Sequence, residues 1–78
     1  MNGSEMTAAD GLDELHWKII EVLREGRATP RYLAGRTDES RQLVSKRLRD
    51  LQMADIVTLV DRGLYELNPE EIPDRNGS

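Results

Sequence analysis

A change in the spacing of apolar residues constrains the fold of this chain more than any other feature. Up to residue 53 apolar side chains recur every three or four positions, the spacing of a buried helical stripe. After Asp55, residues 56–60 and 64–67 are rich in β-branched and aromatic side chains and are separated only by Asp61-Arg62-Gly63. A three-residue loop that ends in glycine is typical of a β-hairpin. The sequence therefore predicts helices first and a hairpin last.

Three helices are expected before the hairpin, and each has its own boundary signals. Asp10 or Gly11 can begin the first helix, and Gly26 follows its end. Thr29 is the expected N-cap of a short second helix that starts at Pro30, and Ser40 is the expected N-cap of the third. The expected helical spans are residues 12–23, 30–36 and 41–53.

The expected fold class is α+β, mainly α, with three helices followed by a two-stranded β-hairpin wing. Two helices joined by a short turn and followed by a hairpin form the layout of a winged helix-turn-helix. A chain of 78 residues supports one small core, which we place at residues 11–68. Residues 1–10 are small and polar and are expected to be a disordered tail. Residues 69–78 contain two prolines, four charges and one apolar residue, so a flexible acidic tail is expected there.

Composition argues against several classes of protein. There is no cysteine and only one histidine, His16, so we expect no metal site, no cofactor and no enzymatic activity. The longest apolar stretch is five residues and includes a threonine, which is far short of the roughly 20 residues that cross a bilayer. The first ten residues lack the pattern of a secretion signal. A soluble, cytoplasmic protein without a membrane partner is therefore expected.

The charges are distributed unevenly along the chain. The net charge is −4, yet residues 24–50 contain eight cations and only four acids, so a basic centre lies between two acidic flanks. Arginine outnumbers lysine nine to two, and such a lysine-poor, acid-rich surface is similar to that of proteins from salt-loving organisms. The basic centre favours a nucleic-acid partner despite the negative total.

The third helix is the expected recognition element for double-stranded DNA. Its helical spacing places Gln42, Ser45, Lys46 and Arg49 on the face opposite the apolar line, and Arg41 at the N-terminal end. The major groove admits one α-helix, and glutamine, arginine, lysine and serine side chains can pair there with base edges. The remaining expected DNA contacts are Ser40 at the helix start, Arg31 and Arg36 on backbone phosphates, and Arg62 at the tip of the wing.

Three stretches carry a resemblance to a known family: residues 19–30 (IIEVLREGRATP), 40–48 (SRQLVSKRL) and 60–67 (VDRGLYEL). Together they resemble the small winged-helix proteins of haloarchaea related to phage repressors, and more distantly the multiple-antibiotic-resistance-type and arsenic-repressor-type regulators. The resemblance implies an archaeal, halophilic transcription regulator in which Ser40-Arg41-Gln42 and Ser45-Lys46 meet DNA. The chain departs from that family at Asp38 and Asp55, where glycine is usual; aspartate tolerates the left-handed conformation better than most residues.

The first helix suggests a route to self-association. Trp17 and Ile20 fall away from the stripe formed by Leu12, Leu15 and the residues that follow, so they are expected on an outer face. A large aromatic residue beside a branched aliphatic one favours a homodimer contact. The alternative is that a terminal segment, through Ile72, folds over them.

These observations lead to one main hypothesis and one rival. The main hypothesis is a homodimeric, sequence-specific DNA-binding transcription regulator, a repressor that occludes a promoter by reading the major groove with residues 41–53. The rival is a winged-helix protein-interaction module that does not bind DNA and uses its acidic flanks as the contact. The sequence identifies neither an operator nor an effector ligand.

Overall fold

The computed structural model describes residues 11–74. Three helices precede a two-stranded antiparallel hairpin, as predicted, so the fold is α+β, mainly α. Both predicted terminal tails lie wholly or partly outside the described residues, at 1–10 and 75–78. Within residues 11–74 no helix is both long and apolar enough to cross a membrane. The elements are α1 (Glu14–Leu23), α2 (Pro30–Thr37), α3 (Arg41–Met53), β1 (Val57–Asp61), β2 (Leu64–Leu67) and a 3-10 turn (Pro69–Glu71).

Side-chain caps begin each of the three α-helices. Thr29 and Ser40 accept hydrogen bonds from the backbone N–H groups of Tyr32 and Leu43, which confirms both predicted N-caps. The first helix starts later than expected, because Asp13 is its N-cap. Asp13 accepts from the His16 N–H, and the His16 ring accepts from the Asp13 N–H, so each satisfies a donor that the helix start leaves unpaired.

Two helices end on aspartates in the left-handed conformation. Asp38 follows α2 with φ of 61°, and Asp55 follows α3 with φ of 64°. At the end of α3 the N–H of Ile56 reaches the Leu51 carbonyl at 2.8 Å and the N–H of Asp55 reaches the Gln52 carbonyl at 3.0 Å. These two bonds form the Schellman arrangement that glycine usually closes. Aspartate therefore fills both positions, as the sequence predicted.

The first helix is buried on almost every side, and this overturns the expected outer face. Trp17 is only 6 % exposed and Ile20 is 0 % exposed, so both belong to the core of a single chain. The reason is that α1 packs against α2, α3 and β2 together. Its exposed residues form a narrow polar stripe, Glu14, Lys18 and Glu21.

The hairpin is joined to the helical body by Ala28, which pairs with β2 as a single bridging residue. β1 and β2 pair from Val57 opposite Leu67 to Asp61 opposite Leu64, with a bulge between Leu59 and Asp61. Gly63 in the turn has φ of 61°, which confirms the predicted left-handed glycine. On the other side of β2, Ala28 exchanges two backbone hydrogen bonds with Tyr65 at 3.0 and 2.8 Å. The wing is therefore fixed to the α1–α2 connection.

The segment after β2 packs more closely than expected. A 3-10 turn spans Pro69–Glu71, and Ile72 lies half-buried against the core. The single apolar side chain of this segment therefore contacts the core, because the turn brings the chain back over it. Residues 69–72 of the expected tail thus lie against the domain.

Candidate nucleic-acid interface

The inner side of α3 fixes the orientation of its outer side. Val44, Leu48 and Leu51 are fully buried, and they hold the helix against α1, α2 and β1. Because these three residues form one stripe, the opposite side of the helix faces solvent. At thirteen residues α3 is about 20 Å long, which is enough to lie along several base pairs of a groove.

The polar face predicted for α3 is present in the structure. Gln42, Ser45, Lys46 and Arg49 are all exposed, and Arg41 is exposed at the first helical position. Met53 continues the same side at the end of the helix and is 80 % exposed. The structure thus brings five of the predicted contact residues together on one surface; their contact with DNA stays a prediction.

The start of α3 presents backbone donors to the same surface. Ser40 is exposed, and its hydroxyl oxygen accepts the N–H of Leu43 at 3.1 Å. The first bond of the helical ladder runs from the Val44 N–H to the Ser40 carbonyl. The N–H groups of Arg41 and Gln42 precede that bond, so they have no acceptor within the helix. Helix N–H groups in this position, together with the helix dipole, favour an anion such as phosphate.

A polar cluster that sequence reasoning missed ties α3 to the start of α1. The His16 ring is buried; the Asp13 N–H donates to its Nδ1 at 2.8 Å, and its Nε2 lies 2.9 Å from a carboxylate oxygen of Asp50. Arg47 donates to the Asp13 carboxylate at 2.9 Å. Both contacts bridge residues 34 apart. The spacing of Asp13 and His16 is a capping signal, but nothing in the sequence links them to α3.

The charge on Asp13 is stabilised by this cluster. Partial burial acts to raise its pKa, but the His16 backbone N–H, the His16 ring and the Arg47 guanidinium together outweigh burial and lower the pKa below the ordinary 3.8. Asp13 is therefore a carboxylate at neutral pH. It pairs with Arg47 at the edge of α3 and so connects this helix to the start of α1.

The arginines and lysines of the described chain fall into two groups. Four arginines form ion pairs with carboxylates: Arg24 with Glu21, Arg27 with Glu66, Arg36 with Glu25 and Arg47 with Asp13. The others form no ion pair with another described residue. These are Lys18, Arg31, Arg41, Lys46, Arg49 and Arg62. All of this second group except Lys18 were predicted to contact DNA.

Arg36 is the predicted DNA contact that the structure places in a different environment. Both of its terminal nitrogens donate to Glu25, at 2.7 and 2.8 Å, and one also donates to the Tyr32 hydroxyl. Its guanidinium lies 5.6 Å from the centre of the Tyr32 ring. The hydrogen bonds from Arg36 lower the pKa of Glu25, and those to Glu25 and Tyr32 raise the pKa of Arg36. Arg36 therefore joins α2 to the end of α1.

Arg31 and Arg62 remain open to solvent at two other places. Arg31 is exposed in the first turn of α2, and Arg62 is exposed in the turn of the wing. The Arg62 backbone is fixed by its N–H, which donates to the Asp61 carboxylate at 2.7 Å. Exposed acids Asp38 and Glu39 occupy the connection between α2 and α3 and place negative charge beside the start of the recognition face.

The comparison with known families agrees with this arrangement. Residues 12–58 match a family of winged helix-turn-helix DNA-binding domains, and the matched region includes all three helices and the start of β1. No curated protein and no solved structure matches the chain. The match covers more than half of the chain, so the protein belongs to the winged helix-turn-helix DNA-binding family.

Proposed function

We propose that the protein is a sequence-specific transcription regulator that places α3 in the major groove. Gln42, Ser45, Lys46 and Arg49 face base edges, since their side chains offer the donors and acceptors that distinguish base pairs. In this proposal the protein binds DNA and has no catalytic activity. It represses transcription when its binding site overlaps a promoter.

The single observation that carries this proposal is the separation of paired from unpaired cations. An arginine that is already bonded to a carboxylate must give up that partner to bind phosphate, whereas an unpaired one has no such cost. The unpaired cations of α3 lie beside free N–H groups at its N-terminus. Positive side chains and backbone donors together are the chemistry that binds a phosphate backbone.

The proposed contacts divide by role. Ser40, Arg41 and the N–H groups beside them bind a phosphate at the edge of the groove, and Arg31 binds one from α2. Arg62 binds a phosphate, or enters the minor groove, from the wing. Arg36 is left out of the DNA contacts because Glu25 and Tyr32 already hold it.

A homodimer is the expected working form. One small module buries only about 600–1,000 Å² on DNA and reads few base pairs, so two copies on half-sites about 34–36 Å apart gain the selectivity that one lacks. The contact cannot use the side chains of Trp17 and Ile20, because they are inside the core. An archaeal, salt-adapted source is consistent with the arginine-rich, acid-rich composition.

The proposal is tested by selecting bound sequences from a random pool of DNA duplexes and then measuring affinity for the selected site. Gln42→Ala is expected to lose about 1–3 kcal/mol of discrimination at one base pair and little elsewhere. Arg31→Ala is the matched control, and it should weaken binding to every sequence alike. If both variants lose affinity equally on all sequences, α3 does not read bases; if the wild type binds no duplex even at low salt, the protein-interaction alternative replaces the proposal.

A further inference from the structure

In the described part of the chain, one backbone edge of β1 has no strand beside it. β2 lies between β1 and Ala28, and the N–H and C=O of Tyr65 are both bonded to Ala28. β1 has only β2 as a neighbouring strand. No described strand therefore lies along its second edge.

The register shows which backbone groups point outward along that edge. The Asn68 N–H donates to the Ile56 carbonyl at 2.8 Å, so Ile56 and Asn68 form a bonded pair. Bonded and non-bonded pairs alternate along an antiparallel ladder, so Val57 opposite Leu67 and Leu59 opposite Tyr65 are non-bonded pairs. The N–H and C=O groups of Val57 and Leu59 consequently point away from β2. Val57 is only 2 % exposed, whereas Leu59 is exposed, so the accessible part of this edge lies at Leu59.

The side chains around Leu59 are apolar and accessible. Leu59 is 44 % exposed and Val60 is 39 % exposed, and the one charged residue of β1 is Asp61 at its end. Natural proteins usually protect an open edge with charges, proline, a bulge or a covering segment. In β1 the bulge and Asp61 both lie at the far end of the strand, so the stretch around Leu59 is left as a strand-pairing surface.

We propose that this edge pairs with the same edge of a second copy of the chain. Two β1 strands related by a two-fold axis run antiparallel, so that Leu59 of each copy faces Leu59 of the other and exchanges both backbone hydrogen bonds with it. Residues 1–10 of the same chain are a poor substitute, because they contain no valine, isoleucine or aromatic residue.

The charges at the two ends of β1 suit this pairing. Asp55 precedes the strand and Arg62 follows it, so antiparallel pairing brings the positive end of one copy beside the negative end of the other. The Asp61 carboxylate is turned onto the N–H of Arg62. Arginine has five N–H donors, so Arg62 can bond a carboxylate of the second copy and a phosphate at the same time.

The symmetry of this pairing suits DNA recognition. A two-fold axis perpendicular to the sheet does not exchange the two faces of the sheet, so the inner faces of both copies lie on the same side. The third helix, α3, packs on the inner face of β1. Both copies of α3 therefore lie on the same side of a shared four-stranded sheet. This last step, but not the pairing itself, rests on the proposed function.

The contact is expected to be weak in the absence of DNA. The bulge at Val60 interrupts the alternation, so the shared edge has few hydrogen bonds and covers much less than the roughly 1,200 Å² of a stable complex. We therefore expect association only at protein concentrations well above about 1 μM. Adjacent half-sites would strengthen it by holding two copies close together.

The experiment measures self-association without DNA, so that it is independent of the proposed function. Sedimentation equilibrium up to about 1 mM protein gives the dissociation constant, and amide hydrogen exchange at low and high protein concentration identifies the contact. Leu59→Lys places like charges directly opposite each other at the axis. Met53→Lys is the matched control, because it removes another exposed apolar side chain away from the edge.

The expected result is a concentration-dependent dimer in which exchange of the Leu59 amide slows as protein concentration rises. Leu59→Lys should raise the dissociation constant about tenfold or more, and Met53→Lys should leave it unchanged. Val60→Lys replaces Leu59→Lys if circular dichroism shows that the latter is unfolded. A wild type that stays monomeric throughout, or a dimer that survives both edge variants, overturns the proposal.

Discussion

The basic side chains on the outer face of α3 and those around the end of α1 differ in whether they form ion pairs with carboxylates. Around α1, Arg24 and Arg36 are bonded to Glu21 and Glu25, so the cations there stabilise the protein itself. On α3, Lys46 and Arg49 extend into solvent without an ion pair to another described residue. The difference leads us to expect that local charge balance, rather than total charge, indicates where DNA binds. A chain with net charge of −4 can thus present a basic surface.

The largest expected effect is on the stability of the protein and concerns the core around α1. Trp17→Ala removes a buried aromatic side chain from the centre of the core and should cost about 3–5 kcal/mol of unfolding free energy. A loss of that size is a large fraction of the stability of a small domain. Urea denaturation measures it, with Lys18→Ala as the exposed neighbouring control. A Trp17→Ala variant of unchanged stability that no longer self-associates would instead restore the outer-face interface.

The second prediction concerns DNA binding and compares two exposed lysines, one on α3 and one on α1. Lys46→Ala should lower the slope of log affinity against log salt by up to about one, because a positive charge in the groove, close to the phosphates, is lost and fewer counterions are released. Lys18→Ala makes the same charge change to another unpaired lysine, but on α1, and should leave the slope unchanged. Fluorescence titration of a labelled duplex at several salt concentrations provides both values. Equal effects of the two changes would mean that only total charge matters.

The third prediction compares two arginines of α2. Arg31→Ala should lower the salt slope of DNA binding by about one, whereas Arg36→Ala should leave the slope unchanged and slightly lower the thermal midpoint. The physical reason is that Arg36 is bonded to Glu25 and Tyr32, while Arg31 is unpaired within the described residues. The same titration, together with a thermal melt, checks both. A lower slope for Arg36→Ala would show that DNA displaces Glu25.

The smallest expected effect is a pH dependence from Asp13. Its pKa in the folded protein is below the ordinary 3.8, so its charge stabilises the fold above that pH and the contribution is lost as pH falls through the folded pKa. Asn is also a good N-cap, so Asp13→Asn keeps the cap and removes the charge. We expect the variant to be less stable at pH 6 by less than about 1 kcal/mol, because the carboxylate is half exposed.

The check is urea denaturation of both proteins between pH 2 and pH 7. The stability difference between them should shrink toward zero at the acid end. A difference that is constant over the whole range would assign the effect to lost hydrogen bonds rather than to charge.

The sequence was sufficient wherever structure depends on neighbouring residues. Thr29, Ser40 and Gly63 act through residues within three positions, so the helix starts and the hairpin turn were predictable. The burial of Trp17 was not, because it depends on how many elements surround α1. One helical stripe was assumed, and three elements cover the helix instead.

The same distinction applies to the candidate interface. The exposed face of α3 follows from its own spacing and was predicted. Glu25, the acid paired with Arg36, lies 11 residues away, and Asp50, the α3 partner of His16, lies 34 residues away, so no local pattern identified them. Ion pairs between residues far apart in the sequence determine which cations have no carboxylate partner. Such pairs can be identified only from the three-dimensional structure.

The hydrogen bonds between Ala28 and Tyr65 also have a consequence for the order of folding. They close a loop that contains α2, α3 and β1, so this contact can form only at the cost of chain entropy. The β1–β2 pairing is local and carries no such cost. We therefore expect the hairpin to form early and its attachment to Ala28 to form late in folding.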